Sequence, residues 1–328
     1  MPPVVVLLSL LLRHAYDKTI TLRPTAPKLV YLGLGFFLAL RLNVGVFSSH
    51  PDRTPWSLQP ILATSLVPFS FFVSVVGLGK KVSCRRLFCA LIVLASVFIC
   101  AEPRIWSLEG SDEEELFRSN DLFKQVLWPS VYALSFLPLA IYHALAEHEL
   151  RKNSVHSFSL STSGLLMGSV FTVLMASADF IPFYGRVDTF PEMWEVIKDG
   201  EKCNFGYIPD GQHCLFKLIV FAGSVIGLNI FSFLLISASE GTMFLSLVSS
   251  LAAPLAAGFW TVFRYDYAED EISWQPEWSH TSMFVIASVV MGVPAVIAYS
   301  VFAVKDVKKA KREQKGYSDV SSSEYDWE

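Results

Sequence analysis

One arginine, Arg41, stands inside a long apolar run of the sequence. A charged side chain at the centre of a membrane helix costs about 2.5–3.5 kcal/mol on insertion scales, so such a residue normally has a partner or a function. The planar guanidinium has donors spaced to hold a carboxylate or a phosphate. Arg41 is therefore a candidate substrate-binding residue. The alternatives are a structural pair with a backbone carbonyl and a position nearer the end of its helix.

A second set of ionisable residues lies at the end of another apolar run, where the sequence reads HALAEHE from His143. His143 and Glu147 are four residues apart, so they share one face of a helix. A histidine beside a carboxylate can take up and release a proton near neutral pH. Both residues are candidates for proton coupling, with Asp179 as a third, and His143 is also a candidate to contact substrate. The alternative is a solvated helix end.

These patterns indicate neither a metal centre nor an enzyme. The spacing of His143, Glu147 and His148 is not that of a zinc protease, and the sequence suggests no third ligand. No Ser–His or Asp–Asp set stands at a spacing usable for catalysis. We therefore expect no metal, no cofactor and no enzymatic activity. The balance of 26 basic and 30 acidic residues gives no support for nucleic-acid binding.

We expect these side chains to lie on membrane helices. Apolar residues make up 52 % of the chain and charged residues 17 %, against about 45–50 % and about 25 % in soluble domains. A bilayer needs roughly 20 helical residues to cross it, and continuous apolar runs exclude the alternating strands of a membrane barrel. The sequence predicts an all-α polytopic membrane helix bundle with about eight full spans, near 29–47, 58–79, 87–101, 126–146, 158–183, 215–238, 242–263 and 281–304.

Small residues and prolines within these spans predict local geometry. The pairs Gly164-xxx-Gly168 and Gly223-xxx-Gly227 permit close helix contact. Proline removes a backbone donor and kinks a membrane helix. We therefore expect kinks in four spans, at Pro60, Pro68, Pro129, Pro138, Pro254 and Pro294.

The segments between the spans differ in charge on the two sides of the membrane. One side, which includes the C-terminus, carries 16 Lys/Arg against 10 Asp/Glu, and the other carries 8 against 19. An excess of Lys and Arg marks the cytoplasmic side. We therefore expect a cytoplasmic C-terminus, with residues 305–328 as a disordered tail whose basic beginning lies against anionic lipid.

Several stretches resemble one known family. The chain reads EMWEVIKDGEKCNFG from Glu192, then a Cys at 214, then LNIFSFLLISASEGTMFLSLVSSLAAPLAAGFW, and upstream it contains FLPLAIYHALAEHELRK and ILATSLVPFSFF. These segments, in this order, are similar to the chloroquine-resistance-transporter-like family of the drug/metabolite transporter superfamily. The resemblance implies ten helices in the complete fold, in two related halves.

The resemblance also implies a domain organisation. The eight spans correspond to helices three to ten of the family, so residues 1–12 match the stub of helix two. We expect a partial helix and cytoplasmic loop over 1–28, an incomplete N-terminal repeat over 29–125, a C-terminal repeat over 126–304 and a lumenal cysteine loop over 184–214. Cys203 and Cys214 in that loop would form one disulfide, since the family loop carries cysteines on the oxidising side.

Further substrate-binding candidates follow from the resemblance. It places Asn229 and Ser65 on helices that line the family's cavity, and Ser249 and Ser250 on the helix behind the SEGT turn. Mid-membrane amides also join helices, and serines also bond to carbonyls of their own helix. Those alternatives remain open for each residue.

The resemblance implies a carrier in a vacuolar, lysosomal or other endomembrane, driven by protons or membrane potential. Its small-molecule substrate would be an amino acid, a peptide or a glutathione-like thiol. A nucleotide-sugar-type carrier, a non-transporting scaffold and a truncated inactive fragment are the alternatives. The stretch Tyr317–Val320 resembles a tyrosine-based sorting signal, which a trafficking adaptor would bind. The lipid bilayer is the other expected partner.

Overall fold

A computed structural model describes most of the predicted spans. It describes the backbone of residues 26–50, 53–54, 58–105, 122–152, 155–180, 189–204, 214–266, 271–274, 276 and 280–323. Within these ranges, the side chains that it does not describe are 101–105, 122–125, 179, 203–204, 214, 217, 260–261, 264–266, 271–272, 280–281, 307 and 309–323.

The apolar runs form helices, because a helix satisfies its own backbone hydrogen bonds where no water is present. A 3-10 turn, Ala176–Phe180, follows the seventh helix. In the described part of the chain the helices are α1 (Lys28–Ser48), α2 (Gln59–Ala63), α3 (Leu66–Val76), α4 (Cys84–Ile105), α5 (Leu122–Leu134), α6 (Phe136–Lys152), α7 (Ser157–Met175), α8 (Phe190–Asn204), α9 (Cys214–Ala238), α10 (Thr242–Ser250), α11 (Ala252–Val262) and α12 (His280–Ser323).

Helices lie over all eight predicted spans. The third of them, predicted at 87–101, lies within α4, whose 22 residues are long enough to cross a bilayer. Among the described residues, seven segments are both long and apolar enough to do so. They are Lys28–Ser48, Gln59–Val76, Val126–Lys152, Ser157–Ala178, Leu218–Ala238, Thr242–Phe259 and Ser282–Asp306.

Three of the predicted spans are broken helices. Pro68, Pro138 and Pro254 each occupy the third position of the helix that follows a break. A proline has no N–H for the carbonyl four residues earlier, and its ring crowds that carbonyl. Pro129 and Pro294, in contrast, lie inside continuous helices. The breaks fall three residues before the three prolines, at Ser65, Ser135 and Leu251.

The described helices divide into two compact units, each of which takes helices from both predicted sequence halves. The first unit comprises the described parts of Met1–Gln59 and Glu115–Thr242, and the second those of Pro60–Glu114 and Met243–Glu328. In the first unit α1 packs against α6 and α7, and α9 packs against α6 and α7. In the second unit α4 packs against α12, around Val93, Leu247 and Tyr299.

Glycines allow α1 and α7 to approach closely in the first unit. A Cβ on Gly168 would lie 2.8 Å from Leu38 Cδ2, and one on Gly164 would lie 3.3 Å from the Tyr142 hydroxyl. The predicted close contact at this pair is therefore confirmed. The other pair, Gly223 and Gly227, has open space on its side of α9, since an added Cβ would meet nothing within 4 Å. The close contact predicted there is absent from the described residues.

Two regions differ from the sequence prediction. A short antiparallel hairpin, β1 (Phe263–Asp266) and β2 (Glu271–Trp274), follows α11, with Phe263 opposite Trp274. At the C-terminal end, α12 continues to Ser323 through the segment predicted to be disordered. The basic part of that segment is rich in Lys, Arg, Gln and Ala, which are strong helix formers.

Candidate substrate-binding site

Arg41 lies in α1 beside the break between α5 and α6. Its Nη1 donates a hydrogen bond to Ser135 Oγ at 3.0 Å. Its guanidinium carbon lies 3.9 Å from the centre of the Phe136 ring and 5.8 Å from that of Tyr132. Ser135 is the residue at the break that precedes Pro138. The proline therefore helps to place a hydroxyl and an aromatic face against the arginine.

The guanidinium of Arg41 has more donors than its one described hydrogen bond uses. No carboxylate among the described residues forms an ion pair with it. Ser135 accepts one N–H out of the five that an arginine carries, and an aromatic ring offers only its face to a cation. A Cβ on Gly45 would collide with Arg41 Nη1, so the glycine keeps the site open.

Asn229 joins three helices of the first unit. The Tyr142 hydroxyl on α6 donates to Asn229 Oδ1 at 2.8 Å, and Asn229 Nδ2 donates to Ser161 Oγ on α7 at 3.1 Å. Tyr142 and Ser161 are fully buried. These contacts give Asn229 the helix-joining role that the sequence left open. Contact between Asn229 and a substrate stays a prediction.

Glu147 ties the end of α6 to the beginning of α10. Its buried carboxylate accepts hydrogen bonds from the backbone N–H of Thr242 at 2.9 Å and from the Thr242 hydroxyl at 3.1 Å. Arg151 Nε donates to the other carboxylate oxygen at 2.7 Å. The N-terminus of a helix has unpaired N–H groups and a positive dipole, so an anion is favourable there. Glu147 thus stabilises the first turn of α10.

The chain conformation before α10 is adapted to this carboxylate. Gly241 has a φ of +104°, a conformation that residues with a side chain rarely adopt. A Cβ on Gly241 would collide with the carboxylate of Glu147. Arg151 Nη2 also donates to the Ser239 carbonyl at 3.4 Å. The SEGT turn and the AEHELR segment therefore form one junction, which we call the Glu147 junction (Glu147, Arg151, Ser239, Gly241 and Thr242).

His143 is buried on α6, with its ring 5.4 Å from that of Tyr142. Glu147, four residues further along α6, accepts hydrogen bonds from Thr242 and Arg151. Proton coupling through either residue stays a prediction.

The predicted serines have different environments. Ser65 lies at the break before α3 and is half-buried, and Ser249 is exposed. Ser250 is buried and donates to the Leu247 carbonyl of its own helix at 2.7 Å. For Ser250 the structure therefore has the own-helix hydrogen bond that the sequence left as an alternative.

The remaining predicted residues have side chains outside the described set. Asp179 lies in the 3-10 turn, Cys203 near the end of α8 and Cys214 at the start of α9. The disulfide and the role of Asp179 stay predictions, as does the adaptor motif at Tyr317–Val320. Among the described residues, no group of three or more His, Cys, Asp or Glu side chains could hold a metal ion.

The sequence did not indicate the aromatic and hydroxyl partners of Arg41. Ser135 could have been noticed as the residue three positions before Pro138, and Tyr132 and Phe136 flank it within one turn. The side chain of Arg86 is also buried, with its guanidinium carbon 5.3 Å from the centre of the Tyr299 ring.

The described fold and its apolar spans define an all-α polytopic membrane protein. The chain matches the CRT-like, chloroquine-resistance transporter-like family over residues 4–295. It therefore belongs to that family, as the resemblance predicted, and is a membrane transporter. No individual curated protein matches the chain.

Proposed function

We propose that this protein is a carrier for a small organic solute with an acidic group, which it moves across an endomembrane by alternating access. The candidate solutes are amino acids, small peptides and glutathione-like thiols, all of which carry a carboxylate. Vacuolar and lysosomal membranes are the proposed locations, with protons or membrane potential as the driving force. The membership in a transporter family supports the carrier part of this proposal.

The observation that carries the substrate class is the environment of Arg41. The guanidinium lies in a membrane-spanning helix, bonded to one neutral hydroxyl and stacked on an aromatic ring. A charge in a membrane segment normally faces a partner or a water-filled path. Because no described carboxylate pairs with Arg41, a substrate carboxylate is the partner that this site lacks. Arginine binds such a group with two parallel hydrogen bonds.

A phosphate would satisfy the same donors, so a nucleotide-sugar-type carrier is the second candidate. The aromatic rings of Tyr132 and Phe136 beside Arg41 are compatible with either ligand. The two candidates differ in which substrate exchanges, and one assay separates them.

The test is counterflow in proteoliposomes with radiolabelled glutathione, basic amino acids and a uridine diphosphate sugar. We expect exchange of a carboxylate substrate that falls at least tenfold in Arg41→Gln. Arg41→Lys keeps the charge but loses the planar fork, so it should raise KM while retaining part of the maximal rate. Ser224→Ala, at an exposed serine bonded to its own helix, is the matched control and should behave as wild type.

The outcomes separate the substrate from the site. Exchange of the nucleotide sugar alone would show that the protein carries a substrate with a phosphate group. Full activity in Arg41→Gln would overturn the role of Arg41, and counterflow equal to that of empty vesicles for every substrate would contradict transport of these solute classes.

A further inference from the structure

One end of the second unit carries four exposed cationic side chains. Lys81 lies three residues before α4, Arg85 lies at the start of α4, and Lys305 and Lys308 lie in α12. None of the four forms an ion pair with another described residue. We call them the basic end. Their charges are therefore not compensated within the described protein.

A buried arginine brings the two segments of the basic end together. Arg86 Nη1 lies 3.9 Å from Asp306 Oδ2, which joins the first turn of α4 to α12. Lys305 and Lys308 flank Asp306 along the chain, and Arg85 precedes Arg86. The Arg86–Asp306 pair has no net charge, so it does not offset the charges of the four exposed cations.

The basic end lies at the level of the membrane surface. The span Ser282–Asp306 ends where these lysines begin. The turns next to the cations expose large apolar side chains, with Phe88 64 % and Val304 53 % exposed. Cations above exposed apolar groups match a lipid molecule, which has a charged headgroup above acyl chains.

The first unit lacks such a surface where α6 ends. Arg151 and Lys152 there are accompanied by Glu147 and Glu149, so that segment has no net charge. The nitrogen Nε of Arg151 is also bonded to Glu147 at 2.7 Å. The excess of cations at the start of α4 and in α12 is therefore not repeated at the end of α6.

We propose that the basic end binds the headgroups of anionic lipids, phosphatidylserine being the probe that fits its charge. Juxtamembrane Lys and Arg residues are attracted to anionic leaflets over about one Debye length. Lys81, Arg85, Lys305 and Lys308 hold the headgroups by charge, while Phe88 and Val304 contact the acyl chains. This proposal does not depend on which solute the protein carries.

The test compares lipid binding by the purified full chain in nanodiscs of phosphatidylcholine with increasing phosphatidylserine. Enrichment of phosphatidylserine around the protein is measured by native mass spectrometry or by a spin-labelled lipid. We expect a variant with Lys81, Arg85, Lys305 and Lys308 all changed to Gln to bind the anionic lipid at least tenfold more weakly. Salt at 0.5 M, on the order of three to four times physiological strength, should weaken the wild type similarly.

The matched control is Arg151→Gln with Lys152→Gln, which should change the binding less than twofold. Equal losses in both variants, or no loss in the fourfold variant, would overturn the proposal. Displacement of the lipid by millimolar inorganic phosphate would also overturn it, because the site would then bind a free anion. A variant with only Lys305→Gln and Lys308→Gln should show an intermediate loss, and its monodispersity on size exclusion checks that it is folded.

Discussion

The two units of this protein hold their buried polar groups in different ways. In the first unit several such groups bond from helix to helix: Tyr142 to Asn229, Asn229 to Ser161, and Glu147 to Thr242, although Ser48 bonds to a carbonyl of its own helix. In the second unit the buried serines Ser96, Ser246 and Ser250 bond to carbonyls of their own helices. Arg86, its buried charge, lies against an aromatic ring and a thioether.

The two units differ in the interactions that position their helices. Cross-helix hydrogen bonds fix both distance and register, because donor and acceptor must align. Own-helix bonds satisfy a hydroxyl but join nothing. Besides the contacts of Arg86 with Asp306 and Met243, the described part of the second unit packs around the apolar side chains of Val93, Leu247 and Tyr299. We expect polar substitutions to cost more in the first unit than in the second.

The largest expected effect is at the Glu147 junction. Glu147→Ala leaves the buried Thr242 N–H and hydroxyl without their acceptor, which should lower the free energy of unfolding by about 2–3 kcal/mol. Titration with sodium dodecyl sulfate in mixed micelles measures this. Arg151→Ala should cost less than about 1 kcal/mol, because the Arg151 side chain is half exposed and its ion pair is screened. Equal losses in the two variants would place the stabilisation in the ion pair.

The next effect compares two glycines with positive φ, one in each unit. Gly241→Ala strains a φ of +104° and places a Cβ against Glu147, whereas Gly79 has a φ of +63° and nothing within 4 Å of an added Cβ. Gly79→Ala should cost about 1 kcal/mol, and Gly241→Ala about 1–2 kcal/mol more. The same titration compares them. A loss at Gly79 as large as that at Gly241 would mean that backbone strain alone, without the contact with Glu147, accounts for the loss of stability.

The smallest effect compares two buried tyrosines. Tyr142→Phe removes a hydrogen bond of 2.8 Å to Asn229 and should cost about 1 kcal/mol. Tyr299→Phe removes a contact of 3.6 Å to the sulfur of Met243, a weak acceptor, and should cost less than about 0.5 kcal/mol. Thermal unfolding in detergent ranks the two. The reverse order would contradict the contrast between the units.

A double-mutant cycle sharpens the first of these tyrosine measurements. If Tyr142 and Asn229 act through their hydrogen bond, the loss in Tyr142→Phe with Asn229→Ala should be smaller than the sum of the single losses. Additive losses would show that the two side chains stabilise the unit independently.

Much of the helical architecture could be predicted because it depends on local composition. Long apolar runs form helices wherever they lie, and the prediction of helices over 29–47 and 215–238 is confirmed by α1 and α9. The proline positions predicted disturbance, but not which prolines break a helix. Pro138 lies at a break and Pro129 lies inside α5. The carbonyl that each proline leaves unpaired needs a partner from the structure around it. The sequence of a single segment does not include that partner.

The candidate site was predictable only in part. Arg41 could be selected because a charge within an apolar span is costly. Its partner Ser135 is 94 residues away in the sequence, and Glu147 is 95 residues from Thr242. Helical spacing predicted that His143 and Glu147 share a face, but it did not indicate the hydrogen bonds of Glu147 with Thr242.

The amino-acid sequence alone is enough to predict that this chain crosses a membrane as apolar helices. It also contains the segments that resemble the family. These properties follow from composition and from the order of residues within each segment. A segment buried in lipid must be helical and low in charge, whichever helices pack beside it. The contacts of Arg41 with a hydroxyl and an aromatic ring, and the hydrogen bond of Glu147 with the first residue of α10, could be seen only in the tertiary structure. Such pairs depend on which helices pack together, and that choice is made by the whole chain.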